Sequence, residues 1–385
     1  MNARNIASKL NPQRTSCRSA ARNLSTSSSS NSSIAPWIQR LTTTPPKPSI
    51  DLIDLERAQQ LCRVLPTRTG QSQVLPEWGD ALGKGHHLAY FWPKNENEQL
   101  GEDGSSTVSL SPRPAWGLEF PDYNAPYPYT RRMWAGGSFE WPASSGQADP
   151  GAPEGIIIGS SIREQTSVQK IEEKGGMVFV HQLKEFSLDG GGRGGSGKGR
   201  TLVKEIRMHV FRQPVSAGSA GTSSETPTKA AKKPPPVPSP PYDLSFSFTP
   251  SLPLLFRFSA LTFNAHRIHY DATWARETEG HASSSPHAGP VVHGPLSALV
   301  CVEVVEQWLQ MTSEGRERAK QGGGMRRFEY RATSPMFVDR RIEVFGRLLP
   351  VEGEGEAEAE AEVPRLCLWV VQDGKVGMTA AAYFH

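Results

Sequence analysis

One helix constrains what this chain can become. In "HGPLSALVCVEVVEQWLQM", Leu296, Leu299, Val300, Val304, Trp308 and Leu309 recur at helical spacing behind Pro295, a residue suited to a first helical position. A stripe that broad belongs in a core. Three strand-like runs follow it: "RRFEYRATSPMFV", "RIEVFGRLL" and "LCLWVVQDGKVGMTAAAYF". Upstream, "EGIIIGSSIREQTSVQKIEEKGG", "MVFVHQLKEFSL" and "TLVKEIRMHVFRQP" are β-branched and alternate, with Val178, Val180 and Leu183 set among polar residues. The chain therefore reads as α+β, with antiparallel strands joined by Gly-rich turns and a strand-rich half that occurs twice.

At 385 residues the chain has room for two ordinary domains. With 36 glycines, 32 prolines and only 37% hydrophobic residues, much of it must be turn, linker or tail. Residues 213–241 form a Pro/Ser/Lys-rich linker, which separates residues 50–212 from 242–385. "IDLIDLERAQQLCRVL" places Leu52, Leu55, Ala58, Leu61, Cys62 and Leu65 on one helical stripe, so order is expected from about Ile50. The aromatic islands "HHLAYFWP" and "YPYTRRMWAGGSFEWP" read as core. "DGGGRGGSGKGR" (189–200) is a poor phosphate loop, because no Ser or Thr follows its lysine and a strand pattern comes next; it reads as a flexible hairpin connection. The alternating acidic run "EGEGEAEAEAE" (352–362) reads as a solvated insertion.

Charge is unevenly placed. Arg4, Lys9, Arg14, Arg18, Arg22, Arg40 and Lys47 lie in the first 50 residues with no Asp or Glu, so against a net +3 the remainder carries −4. This Arg- and Ser-rich leader (1–49), with Ile6 and Leu10 at helical spacing, has the composition of a mitochondrial transit peptide, the alternative being a disordered basic tail. Without it there is no basic field to hold nucleic acid. Even "ALVCVEVV" is interrupted by Glu303, so no membrane span is expected. Four scattered cysteines make neither a disulfide framework nor a zinc pattern.

The chemistry-bearing stretch is "TFNAHRIHYDATWA" (262–275), which gathers Asn264, His266, His269 and Asp271, followed by "VVHGPL" with His293 and Gly294. Together these resemble the active-site segment of MaoC-like hotdog-fold hydratases and dehydratases, whose usual pattern is Gly-Asp-x-Asn-Pro-Leu-His-x-Asp followed by a His-Gly helix start. "RRMWAGGSFEW", "GHHLAYFWP" and "LGEDGS" are similar to the subgroup containing mitochondrial hydroxyacyl-thioester dehydratase type 2 and mesaconyl-CoA hydratase-like proteins. The resemblance implies a double hotdog: two antiparallel sheets, each wrapped around a central helix and paired side by side. The C-terminal half (242–385) would be catalytic. The N-terminal half (50–212), which has no His-x-x-His or His-Gly-Pro, would shape an acyl tunnel.

The resemblance further implies that His269 is the general base, since an imidazole titrates near working pH. Asn264 stands where the usual member has aspartate, and an amide orients a hydroxyl without taking its proton. His266 stands where the usual member has asparagine. Asn264 and His266 are expected to position the leaving oxygen, unless His266 supplies a second titratable group. Asp271 is expected to cap or orient the next helical turn. Gly294 would offer its N–H to the thioester carbonyl at the mouth of a helix. His293 reads either as a substrate contact or as a satisfied core histidine. Arg131 and Arg132 read either as a grip on a phosphopantetheine phosphate or as surface ion-pair partners. His266 and His269 lack a third ligand at helical spacing, so neither a metal nor any other cofactor is expected.

The implied activity is a (3R)-hydroxyacyl-thioester dehydratase, reversible as an enoyl-thioester hydratase. Acyl carrier protein substrates in fatty-acid synthesis of the mitochondrial matrix are the first expectation, with acyl-CoA thioesters as the other carrier form. The alternatives are a mesaconyl-CoA-type hydratase, a non-catalytic acyl-thioester-binding hotdog and a thioesterase. The oligomeric state, a homodimer included, is left open.

Overall fold

Period-two burial along the apolar runs produces ten strands in the computed structural model. The structure describes residues 34–43, 45, 48–68, 74–105, 129, 131–142, 155–189, 199–212, 236–278, 289–320, 324–349 and 365–384. The strands are β1 (Pro48–Leu52), β2 (Arg131–Glu140), β3 (Ser161–Lys174), β4 (Met177–Leu188), β5 (Thr201–Arg212), β6 (Leu244–Phe248), β7 (Met325–Ala332), β8 (Ile342–Leu349), β9 (Arg365–Gln372) and β10 (Lys375–Phe384). The helices are α1 (Ala35–Thr43), α2 (Leu55–Val64), α3 (Leu252–Leu261), α4 (Gly294–Met311) and α5 (Ser313–Lys320).

The sheet runs β1-β3-β4-β5-β2-β7-β10-β9-β8-β6. Read from either edge, each half has the same order, so the repeat expected from sequence is present. The two expected sheets are, however, one continuous sheet. β2 pairs antiparallel with β7 from Gly136↔Arg331 to Glu140↔Arg327, and that ladder joins the halves. Glycine is required at this seam: a Cβ on Gly137 would lie 2.0 Å from the Ile206 carbonyl oxygen, and one on Gly136 (φ +153) 2.5 Å from that of Tyr330.

α4 is the helix around which the sheet folds. Twelve of its residues are buried, so it has no continuous polar face. Leu296, Leu299, Val302 and Val305 pack in one cluster with Leu61, Leu82 and Leu88 from the N-terminal half and Phe328, Leu366 and Val370 from the C-terminal half. Each such side chain contributes roughly 1.5–3 kcal/mol by leaving water. Glu303 is the charged exception on the helix. It meets Arg68 at 2.5 and 2.8 Å and His86 at 2.7 Å. Burial alone would raise its carboxyl, but these partners bring it down to about 2.

Several elements differ from expectation. Order begins before Ile50: α1 buries Trp37 and Leu41, with Ile34 just ahead of it, against Val178, Val180 and Phe211. Leu52 leaves the helical stripe because β1 occupies Pro48–Leu52, and α2 starts only after Asp54, whose carboxylate accepts from the Arg57 N–H. On β4 the inward row continues from Val178 and Val180 to Gln182, so Leu183 falls on the other face. The last apolar run makes two strands, not one. Asp373 (φ +50) and Gly374 (φ +72) adopt the left-handed conformations of a two-residue hairpin turn between β9 and β10.

Most of the leader, residues 190–198 of the Gly-rich connection, 213–235 of the linker, 279–288 and the acidic run lie outside the described residues. Among the described residues no helix is long and apolar enough to cross a membrane.

Candidate active site

The histidine segment is shaped by its own backbone. After α3 the Asn264 N–H donates to the Ser259 carbonyl at 2.8 Å, while Asn264 Oδ1 accepts the His266 N–H at 3.1 Å. This Asx turn reverses the chain into a 3-10 turn over Arg267–His269. Asp271 then accepts the Trp274 N–H at 2.9 Å and Arg267 Nη2 at 2.6 Å, the capping role expected of it.

His269 is buried and fixed. Its Nδ1 lies 2.7 Å from the Val291 carbonyl oxygen, and the Val291 N–H returns a 2.7 Å bond to the Ile268 carbonyl. A carbonyl only accepts, so Nδ1 carries the proton and Nε2 the lone pair. Nε2 has no hydrogen-bond partner among the described residues. Burial pushes the imidazole down to about 3, helped by neighbouring His266 and opposed by the Val291 bond. The ring is therefore neutral at neutral pH, with a basic nitrogen available.

Its flat face stacks on His293, with ring centroids 3.6 Å apart and planes 17° from parallel. His293 is the residue before Gly294 and caps α4, so the His269 imidazole sits beside the N-terminus of that helix. His293 itself is fully buried, its Nε2 2.8 Å from Ser259 Oγ. Its Nδ1 is buried without a hydrogen-bond partner among the described residues, so the ring is not the fully satisfied core histidine of one sequence reading, and the placement selects neither. Ser259, missed in the sequence, has no motif signal of its own.

Gly294 begins α4 with Trp134 of β2 beside it; a Cβ here would be 3.5 Å from the indole. Trp134 Nε1 donates to the Tyr330 hydroxyl at 2.8 Å, and the Arg207 guanidinium lies over its ring at 5.3 Å. Arg131 and Arg132 stand at the start of the same strand, opposite Arg212 and Phe211. Desolvation and the charges of Arg132, Arg207 and Lys184 push His209, opposite Trp134, well below the usual imidazole range.

The inward face of the N-terminal half is unusually polar. Gln182, Lys184, Glu205, Arg207 and His209 occupy one face of β4 and β5, between the α1 cluster and the main core. Arg207 grips Glu205, Lys184 reaches Glu164 at 2.6 Å, and His87 lies 3.2 Å from Glu205. Arg207 keeps 22% of its side chain exposed.

His266 sits edge-on to His269, with centroids 5.7 Å apart. Its Nε2 is 3.6 Å from Asp103 Oδ2, a carboxylate to which the sequence reading gives no role. Residues 101–105 reach the motif because the Arg267 N–H donates to the Asp103 carbonyl at 2.7 Å and Arg267 Nη1 to that of Glu102 at 3.2 Å. Among the described residues no group of three or more His, Cys, Asp or Glu is placed to hold a metal ion.

The profile of a family described as hydroxyacyl-thioester dehydratase type 2 matches residues 85–338. A mesaconyl-C(4)-CoA hydratase from Chloroflexus aurantiacus is 31% identical over 275 residues, 70% of this chain and 73% of that protein. A mitochondrial hydroxyacyl-thioester dehydratase type 2 from Schizosaccharomyces pombe is 34% identical over 100 residues, 26% of this chain and 28% of that protein. The crystal structure of a MaoC-like dehydratase from Phytophthora capsici superimposes with a TM-score of 0.55 at 16% identity, covering 90% of this chain and 97% of that one, a likeness of fold.

Proposed function

Because the chain belongs to the hydroxyacyl-thioester dehydratase type 2 family of MaoC-like hotdog proteins, we propose that it interconverts (3R)-hydroxyacyl and 2-enoyl thioesters with loss or gain of water. The observation that carries this is the clamp that holds a neutral His269 against the first residues of α4. A thioester carbonyl directed at the Gly294 N–H would be polarised by a fixed donor and the helix dipole, which acidifies C2. His269 Nε2 takes the C2 proton, and in hydration returns it. Asn264 Oδ1 accepts the His266 N–H in the turn, and the side-chain amide N–H would be the donor offered to the C3 hydroxyl. Arg131 and Arg132 at the rim of β2 would meet the phosphates of the carrier arm.

Carrier-protein substrates in the mitochondrial matrix are supported by the composition of the leader and by the mitochondrial relative. A second reading, a short dicarboxylic CoA thioester, is supported by the charged inner face beyond Trp134. An alkyl chain would gain little from lying on Arg207, Lys184 and His209, whereas a carboxylate would meet donors there.

The test is the conjugated enoyl absorbance formed from 3-hydroxybutyryl-CoA by the purified chain, with free thiol followed in parallel. His269→Ala is expected to lose about 10³-fold in kcat while keeping its circular dichroism. Full activity in that variant, or thiol release in its parent, overturns the proposal. Matched enoyl-carrier-protein and mesaconyl-CoA substrates in the same assay separate the two readings.

A further inference from the structure

The motif lacks the carboxylate of the usual MaoC-like pattern it resembles, and another segment of the chain delivers one to the same place. Asn264 cannot take or give a proton at the pH of catalysis. Two residues on, however, His266 Nε2 faces Asp103 Oδ2 at 3.6 Å, and Asp103 comes from a turn more than 150 positions away in sequence.

The placement of that turn is specified by the chain. Gly104 has φ +76, and a Cβ on it would sit 1.9 Å from the Ala265 carbonyl oxygen, so only glycine lets the turn press this close to the histidine segment. The Asp103 backbone carbonyl accepts the Arg267 N–H, which sets the register. Ser105 donates its N–H and hydroxyl to the Asp103 carboxylate, each at 2.8 Å, which fixes the side chain. Both ionisable partners are largely withdrawn from water, with side-chain exposures of 14% for His266 and 20% for Asp103. Beside His266, the Arg267 guanidinium is paired with Asp271 and also donates to the Glu102 backbone carbonyl, while the His269 ring is neutral.

We propose that Asp103 is the positioning residue that keeps His266 protonated, so that His266, not Asn264, is the acid that protonates the departing C3 hydroxyl. This rests on His269 being the base. In dehydration His269 Nε2 takes the C2 proton, and the C2–H electron pair becomes the C2=C3 bond. The C3–O bond breaks, and its oxygen takes a proton from His266 to leave as water. His269 ends protonated and His266 neutral; exchange with solvent resets both. In hydration every step reverses.

The test is the pH dependence of kcat for dehydration of 3-hydroxybutyryl-CoA by the full chain and two variants. Asp103→Asn keeps an acceptor for Ser105 and the backbone bond to Arg267 but removes the charge. Its alkaline limb is expected to move about one unit toward acid, since an adjacent opposite charge shifts a titration by about that much or more. Asp103→Glu is expected to restore it. An alkaline limb in the same place for Asp103→Asn overturns the proposal. Nitrogen-15 shifts of His266 in the unmutated protein give a reading independent of any variant's folding: a protonated ring at pH 7 is expected, and a neutral one overturns it. If His269→Ala keeps its activity, the parent reading fails. If His269→Ala is dead and the limb is unmoved, only the role of Asp103 fails.

Discussion

At His269, burial and proton affinity work against each other. The site holds the ring neutral by desolvation, and the Val291 carbonyl fixes which nitrogen is bare. The same burial makes a prediction about stability. Unfolded, this imidazole titrates near its ordinary 6.5; folded, at about 3. Between those values the unfolded chain binds the proton and the folded chain does not, so stability is intact above pH 6.5 and falls as pH drops toward 3. His293 and His209 are shifted the same way, while His86, raised by Cys62 and Glu303 against its burial, opposes them. Urea midpoints are expected to fall from pH 7 to pH 5, and His269→Ala to reduce that slope by up to roughly 1.4 kcal/mol per pH unit. An unchanged slope would mean that the ring is solvated. Which nitrogen is bare was not legible in "HRIHYD", because the tautomer is set by a carbonyl 22 positions downstream.

Among the elements, the start of α4 separates a structural role from a chemical one. Gly294 has room for a methyl group: its nearest contact would be ordinary van der Waals distance from Trp134. Alanine is also at least as good a helix former as glycine, by about 1 kcal/mol in a helix interior and less at a first position such as this. Gly294→Ala should therefore keep or raise the melting temperature while placing a methyl where the thioester must approach. A rise in KM and a loss in kcat of about tenfold or more are expected in the enoyl assay, and wild-type kinetics would remove Gly294 from the site. α4 was readable because six apolar residues repeat along it, and the two glycines of "MWAGGSF" stand at the seam where no side chain fits. The 101–105 turn was not readable in the same way. Nothing periodic marks "GEDGS"; its meaning comes from the positive φ of Gly104 and a backbone bond to Arg267, both set by tertiary contact. The β9–β10 hairpin was underread although "QDGK" carries the Asp-Gly signal, because continuous apolar flanks hid the reversal.

For the molecule as a whole, the repeat and the shared core pull in different directions. The matching strand orders describe two hotdog halves, yet α4 belongs physically to both. Its Glu303 holds Arg68 and His86, Glu306 meets Lys84 at 3.1 Å, and Gln307 donates to the Thr67 carbonyl at 2.7 Å. Thr67, Arg68, Lys84 and His86 are thus fastened to a helix that starts more than 200 positions later, and the main apolar cluster crosses the same boundary. Halves joined in this way lose their core together, so the two-domain organisation expected from the 213–241 linker should not appear as two unfolding events. Calorimetry is expected to show one transition whose van't Hoff and calorimetric enthalpies agree. Glu303→Ala sharpens the test. Removing one member of a buried charged set leaves Arg68 and His86 unpaired, a loss of about 3 kcal/mol, less what the partly exposed Arg68 recovers from water. With a shared core that loss lowers the single transition as a unit. If it splits the trace into two peaks, the N-terminal half has a stability of its own and the linker, not α4, sets the cooperative boundary.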